Sequence, residues 1–264
     1  MYEFPFELDD FQKDACRCIT DGKSVVVCAP TGAGKTVIAQ HAIHCALEQG
    51  KKVFYTTPLK ALSNQKYNDF SEKYGIDKVG LLTGDTSINR GAQIVVMTTE
   101  VFRNMLYGTN FGSVTDNLKD VKYVILDEVH YMNDEQRGTV WEESIIYCPT
   151  NVQIVALSAT VANADKLTEW INTVHSRTEL INTDFRPVPL RFYYFDSSQP
   201  NTLLPLLTPN GTLNKKIKPE KKEFKRGKAV QKRNTVKDVV RNLHEKNMLP
   251  AIYFTFSRKK CDEQ

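Results

Sequence analysis

The chain has 264 residues, of which 41% are hydrophobic, a share that is ordinary for a globular protein with a sizeable core. The sequence contains no apolar run of membrane-spanning length and no basic, apolar leader at its start, so we expect an intracellular protein. The six cysteines form no CxxC pair, which favours reduced thiols over disulfides or a zinc site.

The formal net charge of +4 comes from one segment. Residues 211–235 contain ten Lys or Arg and two Glu, a local balance of +8, and subtracting this from +4 leaves −4 for the rest of the chain. Net charge alone therefore does not predict nucleic-acid binding by the main body. Residues 197–235 also lack a sustained apolar period, which predicts a basic flexible linker or insertion. Its charge either contacts phosphates or is simply solvated.

The first predicted elements surround a glycine-rich segment. Apolar residues at helical spacing predict a helix over residues 8–21, and a strand at Ser24–Cys28 follows. After the segment Ala29–Thr36, the run Val37–Ile43 predicts a second helix. A strand, a glycine-rich turn and a helix in this order predict a phosphate-binding loop, because backbone N–H groups and the helix dipole converge on phosphate oxygens.

Two side chains of this loop add chemistry to the backbone. Lys35 supplies a positive charge, and the Thr36 hydroxyl can hold Mg²⁺. Ala29 occupies the position at which the usual pattern has glycine, and it preserves the turn only if its φ is negative. The other predicted phosphate-binding residues are Thr31, Gly32, Ala33 and Gly34. The alternative is a strand-to-helix loop with an incidental lysine.

Strands and helices continue to alternate along the chain. Further strands are predicted at Lys52–Thr57, Val79–Leu82, Gln93–Met97, Val121–Leu126 and Val152–Leu157, and further helices at residues 58–75 and 163–174. Repeated β-α units with nearly continuous apolar strands predict an α/β fold with a doubly wound, mostly parallel sheet and helices on both faces.

The last part of the chain predicts a change of domain. Residues 186–195 predict a strand that leaves the first domain, Val236–Leu243 a helix and Ala251–Phe256 a buried strand. One helix and one strand cannot form a domain, so we expect the sequence to be cut from a longer protein. The predicted division is a first domain at residues 1–196, the basic linker or insertion at 197–235 and the start of a second domain at 236–264.

Two acidic residues follow one of the predicted strands. Asp127 and Glu128 come directly after Val121–Leu126, and Ser158 and Thr160 follow the next strand. The carboxyl ends of parallel strands form one edge of a sheet, from which the phosphate loop also projects. Asp127 would then orient Mg²⁺ at the phosphates and Glu128 would polarise the attacking water, although Asp-Glu pairs also occur at ordinary turns.

These motifs resemble those of superfamily 2 helicases, and in particular the superkiller-type DExH RNA helicases. Asp127-Glu128-Val129-His130 is a DExH box, Ser158-Ala159-Thr160 resembles helicase motif III, and Ala29–Thr36 resembles motif I, which in this superfamily usually begins with Ala. Other similar segments are Thr57–Lys66, Leu82–Asp85, Met97–Glu100 and Arg137–Glu143. The resemblance covers about residues 4–190 and resumes at about residues 250–257.

The resemblance implies a RecA-like domain that uses ATP and Mg²⁺ to move along or unwind RNA, in the cytoplasm or the plastid stroma. It implies catalytic roles for Lys35, Asp127, Glu128 and His130, with Thr36 and Asp127 as the Mg²⁺ ligands. It also implies that Phe6 stacks on adenine and that Gln12 hydrogen-bonds its edge, although packing of the N-terminal segment is the alternative for both.

The resemblance further implies a nucleic-acid path that is contacted largely through backbone and sugar groups. The residues on this path are Pro58, Leu59, Lys60, Gly84, Asp85, Thr98, Thr99 and Glu100. His130, Ser158 and Thr160 would couple the nucleotide state to a second domain. The implied partners are single-stranded RNA, or a duplex with a single-stranded tail, and proteins of an RNA-processing or decay complex.

Two other functions share these motifs. A DNA-directed superfamily 2 motor has the same first-domain motifs, and a nucleotide-gated binding module could use ATP to exchange partners without strand separation. In this family, arginines that stabilise charge on the transferring phosphoryl lie in the second domain, and such an arginine contributes about 10³ to 10⁵ to turnover. We therefore expect this chain alone to bind ATP·Mg²⁺ but to hydrolyse it very slowly.

Overall fold

The structure is a computed structural model that describes residues 2, 4–108, 117–195, 203–217, 236–255, 257, 259 and 261. The chain divides into two compact units, Met1–Val188 and Pro189–Gln264. The three-part division expected from the sequence, with boundaries after residues 196 and 235, stays a prediction.

The first unit alternates strands and helices along the chain. Its elements are α1 Asp10–Thr20, β1 Ser24–Cys28, α2 Lys35–Glu48, β2 Lys52–Thr57, α3 Lys60–Tyr74, β3 Val79–Leu82, β4 Ser87–Ile88, β5 Ile94–Thr98, α4 Thr99–Leu106, β6 Val121–Leu126, α5 Gly138–Ile146, β7 Gln153–Ser158, α6 Ala164–Val174 and β8 Thr178–Asn182. Short 3₁₀ helices lie at Ile76–Lys78 and Val129–Asn133.

The strands form one eight-stranded sheet in the order β4-β3-β5-β2-β6-β7-β1-β8. All neighbouring pairs are parallel except β3 and β4. Parallel strands need crossover connections, and the helices that provide them cover both faces of the sheet. The predicted α/β fold with a doubly wound, mostly parallel sheet is confirmed.

The core has two layers because successive strand residues point to opposite faces of the sheet. In β1, Val25 and Val27 pack in the layer formed with α1, α2 and α3, whereas Val26 and Cys28 pack in the layer formed with α4, α5 and α6. Trp141 of α5 is among the largest fully buried side chains. Every residue of β1, β5 and β7 is buried, as expected for strands covered on both faces.

One strand was not predicted from the sequence, and another is shorter than predicted. The strand β8 at Thr178–Asn182 was not expected, because its Glu and Asn residues interrupt the apolar pattern. Such residues are tolerated at a sheet edge, where β8 pairs with β1. The strand predicted at residues 186–195 is limited to Tyr193–Phe195. Pro187 and Pro189 lack the backbone N–H that a strand ladder needs.

The second unit has little regular structure among its described residues. Strand β9, Tyr193–Phe195, pairs antiparallel with β10, Leu203–Pro205, and helix α7 spans Val236–Glu245. The helix predicted at Val236–Leu243 is therefore present. The strand predicted at Ala251–Phe256 is wrong for residues 251–255, which have no regular structure, and Ile252 and Phe254 are 82% and 83% exposed. Phe256, like residues 218–235 of the predicted linker, lies outside the described residues.

Candidate nucleotide and nucleic-acid site

The predicted functional residues lie where strands of the sheet end at its carboxyl edge. The segments 29–36, 127–130 and 158–160 follow the neighbouring strands β1, β6 and β7, and we call them the phosphate-loop group. The segments 58–60, 83–85 and 98–100 follow β2, β3 and β5, which adjoin one another on the other side of β6, and we call them the Pro58 group. One sheet edge therefore carries both groups side by side.

The phosphate loop has the backbone that an anion site requires. Gly32 and Gly34 both have φ +86°, a left-handed conformation that favours glycine. Ala29 is not among the described non-glycine residues with positive φ, so it meets the condition under which an alanine preserves the turn. Helix α2 begins at Lys35 with no side-chain cap and no acidic residue in its first turn. Its first N–H groups and dipole are therefore suited to a phosphate.

The Lys35 ammonium turns back onto the loop, where Nζ donates to the carbonyl oxygens of Ala29, at 2.8 Å, and Pro30, at 3.2 Å. Burial lowers its pKa, whereas the nearby carboxylates of Glu128 and Asp127 act in the opposite direction. A charged group in this position is only partly compensated by two neutral carbonyls. A phosphate oxygen would be a stronger acceptor for it.

Asp127 is fixed by contacts to both of its carboxylate oxygens. The Tyr55 hydroxyl donates to Oδ2 at 2.6 Å, and the Glu128 backbone N–H donates to Oδ1 at 3.0 Å. Burial, with the charge of Asp127, raises the pKa of Tyr55 well above its usual value, so its hydroxyl remains a donor. Glu128 itself has φ 55° and ψ 44°, a left-handed conformation that is strained for a non-glycine residue.

His130 connects the DExH segment to the segment that follows β7. The Ala159 backbone N–H donates to His130 Nδ1 at 3.3 Å. The same Nδ1 lies 3.3 Å from Glu128 Oε2. Of the predicted coupling residues, Ser158 is buried and Thr160 is exposed. The contact between the two segments is therefore made by Ala159, which lies between Ser158 and Thr160.

Two basic residues that sequence reasoning missed also contact this group. Lys66 of α3 donates from Nζ to Thr36 Oγ1 at 3.3 Å, and its ammonium lies 5.8 Å from the ring centroid of Tyr55. Arg186 donates from Nη1 to the Thr31 carbonyl at 3.1 Å. Lys66 occurs inside a segment already recognised as helicase-like, which is the one signal that could have identified it.

Phe6 and Gln12 differ in how accessible their side chains are to a nucleotide base. Phe6 is 52% exposed. The Gln12 side chain is buried, and its Oε1 accepts from the Asp9 backbone N–H at 2.9 Å. Its Nε2 lies 3.4 Å from the Ala33 carbonyl and 3.3 Å from the Gly34 carbonyl. Gln12 therefore supports the phosphate loop from behind, and the adenine contacts of both residues stay predictions.

In the Pro58 group, charged side chains are paired with one another. Lys60 and Asp85 form an exposed ion pair, and Thr83 Oγ1 donates to Asp85 Oδ1 at 2.9 Å. Hydrogen bonds from Lys60 and Thr83 lower the pKa of Asp85, which is therefore a carboxylate. Glu100 pairs with Arg137, whose Nη2 also donates to the Pro58 carbonyl at 2.7 Å.

The side chains of the Pro58 group are paired, whereas the backbone N–H groups at its two helix starts have no side-chain cap. Helix α3 begins at Lys60 with Leu59 as its N-cap residue, and α4 begins at Thr99 after Thr98. Neither N-terminus has a side-chain cap, and Thr98 and Thr99 are buried. The Thr99 hydroxyl instead donates to the Thr57 carbonyl at 3.2 Å. The two helix starts therefore present N–H groups at the same edge.

The residues at the phosphate loop fit Mg²⁺ bound through phosphates. The Thr36 hydroxyl and the Asp127 carboxylate are the hard oxygen ligands that this ion prefers. In the parts of the chain that the structure describes, no group of three or more His, Cys, Asp or Glu could hold a metal by itself. Mg²⁺ does not need such a cage where substrate phosphates supply further ligands. Across the same described residues, no helix is long and apolar enough to cross a membrane.

Comparison with known proteins gives one consistent result. The model of the DEAD/DEAH box helicase family matches residues 9–167. The chain is 43% identical over 304 residues to the chloroplastic DExH-box ATP-dependent RNA helicase DExH15 of Arabidopsis thaliana, an alignment that covers 98% of this chain and 26% of that protein. It is 40% identical over 285 residues to Superkiller complex protein 2 of Mus musculus, covering 100% of this chain and 22% of that protein.

A solved structure with a similar fold is the Mycobacterium smegmatis helicase Lhr bound to single-stranded DNA and AMP-PNP. The TM-score is 0.52 and the identity 26%, over 66% of this chain and 25% of that one. The chain spans only about a quarter of the length of the curated relatives that it matches.

Proposed function

The chain belongs to the DEAD/DEAH box helicase family, and from this premise we propose that it is the ATP-binding RecA-like domain of a superkiller-type RNA helicase. The observation that carries this proposal is the meeting of a phosphate loop with the Asp127-Glu128 pair at one sheet edge. The two segments follow strands on either side of β7, and in the proposal they face one triphosphate from the two sides that hydrolysis requires.

In this proposal, each residue of the phosphate-loop group has one task. The N–H groups at the start of α2 and the Lys35 ammonium bind phosphate oxygens, which replace the Ala29 and Pro30 carbonyls as partners of the lysine. Thr36 and Asp127 hold Mg²⁺, which when bound neutralises charge on the β- and γ-phosphates. Glu128 orients and polarises the attacking water.

His130 would pass the state of this site to the segment after β7. Its Nδ1 lies close to both the Ala159 N–H and the Glu128 carboxylate, which supports this role, because a change at Glu128 would alter which of the two the histidine contacts. In the proposal, Ser158 and Thr160 transmit the change to a second RecA-like domain. Arg186 and Lys66 add positive charge beside Thr31 and Thr36.

We propose that the Pro58 group binds the sugar-phosphate backbone of single-stranded RNA. Two helix N-termini without side-chain caps support this, because each presents N–H donors and a positive dipole end to phosphates. The name of the Arabidopsis relative favours RNA, since it is described as an RNA helicase, and the mouse relative is named as a protein of a complex. By the same analogy, the protein would act with partners in an RNA-processing or decay complex.

A DNA-directed motor is the second candidate, and it is favoured by the similar helicase structure that contains single-stranded DNA. The full-length protein separates the two candidates. Its ATP hydrolysis is expected to rise with single-stranded RNA and to respond weakly to DNA of the same sequence. A stronger response to DNA would overturn the assignment to RNA.

Glu128→Gln tests the proposed chemistry in the full-length protein. We expect hydrolysis and unwinding of a tailed duplex to fall by about 10² to 10⁴, with ATP affinity retained, because the variant keeps the shape but loses the base. Glu142→Gln, at an exposed position of α5, is the matched control. Normal hydrolysis by the Glu128 variant would contradict the proposed role of this residue.

The wild-type protein tests a further alternative. If it hydrolyses ATP without unwinding the duplex, that result would favour a nucleotide-gated binding module.

For the 264-residue chain alone, we propose slow hydrolysis. The resemblance assigns the arginines that stabilise the transferring phosphoryl to a second domain, and one such residue contributes about 10³ to 10⁵ to turnover. Strong RNA-stimulated hydrolysis by this chain would contradict the proposal.

A further inference from the structure

One arginine joins the two nucleic-acid segments that lie furthest apart in sequence. The Arg137 guanidinium donates from Nη2 to the Pro58 carbonyl at 2.7 Å and from Nε to Glu100 Oε1 at 3.1 Å, and Nη2 also contacts Glu100. The two partners are 79 and 37 residues away along the chain. Because Nη2 carries two N–H groups and Nε one, each contact has its own proton.

The backbone around Arg137 is itself held in place. The N–H groups of Gln136 and Arg137 donate to Asp134 Oδ1 at 2.9 and 3.0 Å, and the Gly138 N–H donates to the Asp134 carbonyl at 2.8 Å. The guanidinium carbon lies 5.9 Å from the ring centroid of the fully buried Trp141. This loop follows the 3₁₀ helix Val129–Asn133, which continues directly from the DExH segment. Contacts to its backbone and to its guanidinium therefore hold Arg137 in position.

The negative charge of Glu100 lies where nucleic acid would bind, and Arg137 neutralises it. Glu100 lies in the first turn of α4, the helix start that would meet a phosphate. An unpaired carboxylate there would repel a nucleic-acid backbone. The two side chains are 35% and 34% exposed, so their interaction is screened less than that of a fully exposed pair. The Arg137 contact neutralises Glu100, and the same guanidinium donates to the Pro58 carbonyl.

We propose that Arg137 is a positioning residue that holds the Pro58 segment and the start of α4 in the arrangement that binds nucleic acid, without contacting the nucleic acid itself. The inference rests on the proposed function of the Pro58 group. It extends that function by naming the element that sets its geometry and connects it to the loop after the DExH segment. A lysine cannot replace this arginine, because one ammonium lacks the planar fork that serves a carbonyl and a carboxylate together.

The test compares two double variants of the same kind. Arg137→Gln with Glu100→Gln removes the pair without changing net charge or leaving a carboxylate unpaired. Arg103→Gln with Glu143→Gln is the matched control, because this half-buried pair joins α4 to α5, and Arg137 lies directly before α5; Nη1 of Arg103 is 3.5 Å from Glu143 Oε2. The affinity for a fluorescein-labelled oligouridylate is measured by fluorescence anisotropy over a range of salt concentrations. ATP affinity and melting temperature are measured on the same samples.

We expect the Arg137 and Glu100 double variant to bind the oligouridylate about tenfold more weakly, and the control pair to bind as the wild type does. The slope of log affinity against log salt concentration should stay unchanged, because no phosphate contact is lost. ATP affinity should also stay unchanged. A slope reduced by about one would show that Arg137 contacts a phosphate directly and would overturn the proposal. Unchanged affinity would also overturn it.

A second variant covers the case in which the double variant does not fold. Arg137→Lys keeps the charge and is expected to bind the oligouridylate as weakly as the double variant. Wild-type affinity in Arg137→Lys would show that charge alone suffices and would overturn the proposal. Failure of the wild-type chain to bind the oligouridylate would instead count against the proposed function of the Pro58 group, so the two failures are distinguishable.

Discussion

The phosphate-loop group and the Pro58 group lie on one sheet edge but are built differently. The first has left-handed residues at Gly32, Gly34 and Glu128 and a lysine whose partners are neutral carbonyls. The charged side chains of the second are paired, Lys60 with Asp85 inside the group and Glu100 with Arg137 outside it. We infer that the first group recognises its ligand with side chains together with a glycine-containing loop, whereas the second uses mainly backbone N–H groups that ion pairs hold in place.

The largest effect is expected for Lys35→Ala, which should impair ligand binding by the phosphate-loop group and not by the Pro58 group. Lys35→Ala should raise the Kd for ATP by at least about 100-fold, because two charge-assisted hydrogen bonds to phosphate are lost, and should leave oligouridylate affinity unchanged. Titration with a fluorescent ATP analogue checks the first expectation and anisotropy the second. Lys51→Ala, which removes an exposed lysine paired with Asp120, is the control. Unchanged ATP affinity in Lys35→Ala would discard the nucleotide-site assignment.

The two glycines of the phosphate loop provide a sharper test of its backbone. Alanine at either position must adopt φ +86°, which costs about 1–2 kcal/mol. A Cβ at Gly34 would also lie 2.7 Å from Gln12 Nε2, whereas a Cβ at Gly32 meets no atom within 4 Å. Gly34→Ala should therefore lower the free energy of unfolding by about 1 kcal/mol more than Gly32→Ala. Urea unfolding measures the difference, and equal values would mean that Gln12 does not support the loop.

Tyr55 allows the metal side of the phosphate-loop group to be tested without touching a proposed ligand. Tyr55→Phe removes the hydroxyl that donates to Asp127 Oδ2, so the carboxylate is less well oriented. The Mg²⁺ concentration needed for half-maximal ATP binding should rise about tenfold. Tyr123→Phe, in the neighbouring buried strand, is the control and should leave it unchanged. An unaltered Mg²⁺ requirement in Tyr55→Phe would contradict the proposal that Tyr55 orients Asp127 for the metal.

The smallest effect is expected at Lys60, in the Pro58 group. Its ion pair with Asp85 is exposed, so Lys60→Met should change the free energy of unfolding by less than about 0.5 kcal/mol. If the group binds through its backbone, the salt dependence of oligouridylate binding should also stay the same. A slope reduced by about one would show that Lys60 binds a phosphate, and the contrast between the two groups would then be weaker.

Much of this arrangement was predictable from local sequence. The apolar run of β1, the glycines that follow it and the acids after β6 specify a strand, a phosphate loop and a pair of carboxylates from neighbouring residues alone. The parallel sheet then brings them to one edge. The strand predicted at Ala251–Phe256 was wrong over residues 251–255, because an apolar run becomes a strand only where a neighbour pairs with it. In the described part of the second unit, no such neighbour is present.

The contacts that refine the site could not be predicted in this way. Lys66 reaches Thr36 across 30 residues, Arg137 reaches Pro58 across 79, and Arg186 reaches Thr31 across 155. Each depends on the packing of elements that are remote in the chain. A basic residue in a polar segment gives no local sign of its partner. The sequence motifs therefore predict which residues face ligands but not which residues hold them in position.

Hydrogen–deuterium exchange with each ligand alone tests the two-group account most directly. With ATP and Mg²⁺, amides of residues 31–36 and 127–130 should become protected, whereas oligouridylate should protect the amides of residues 59–60 and 98–100. Arg137→Lys should lose the second pattern and keep the first. Protection of the same amides by both ligands, or of neither set, would contradict the claim that one sheet edge carries a nucleotide site and a separate nucleic-acid site.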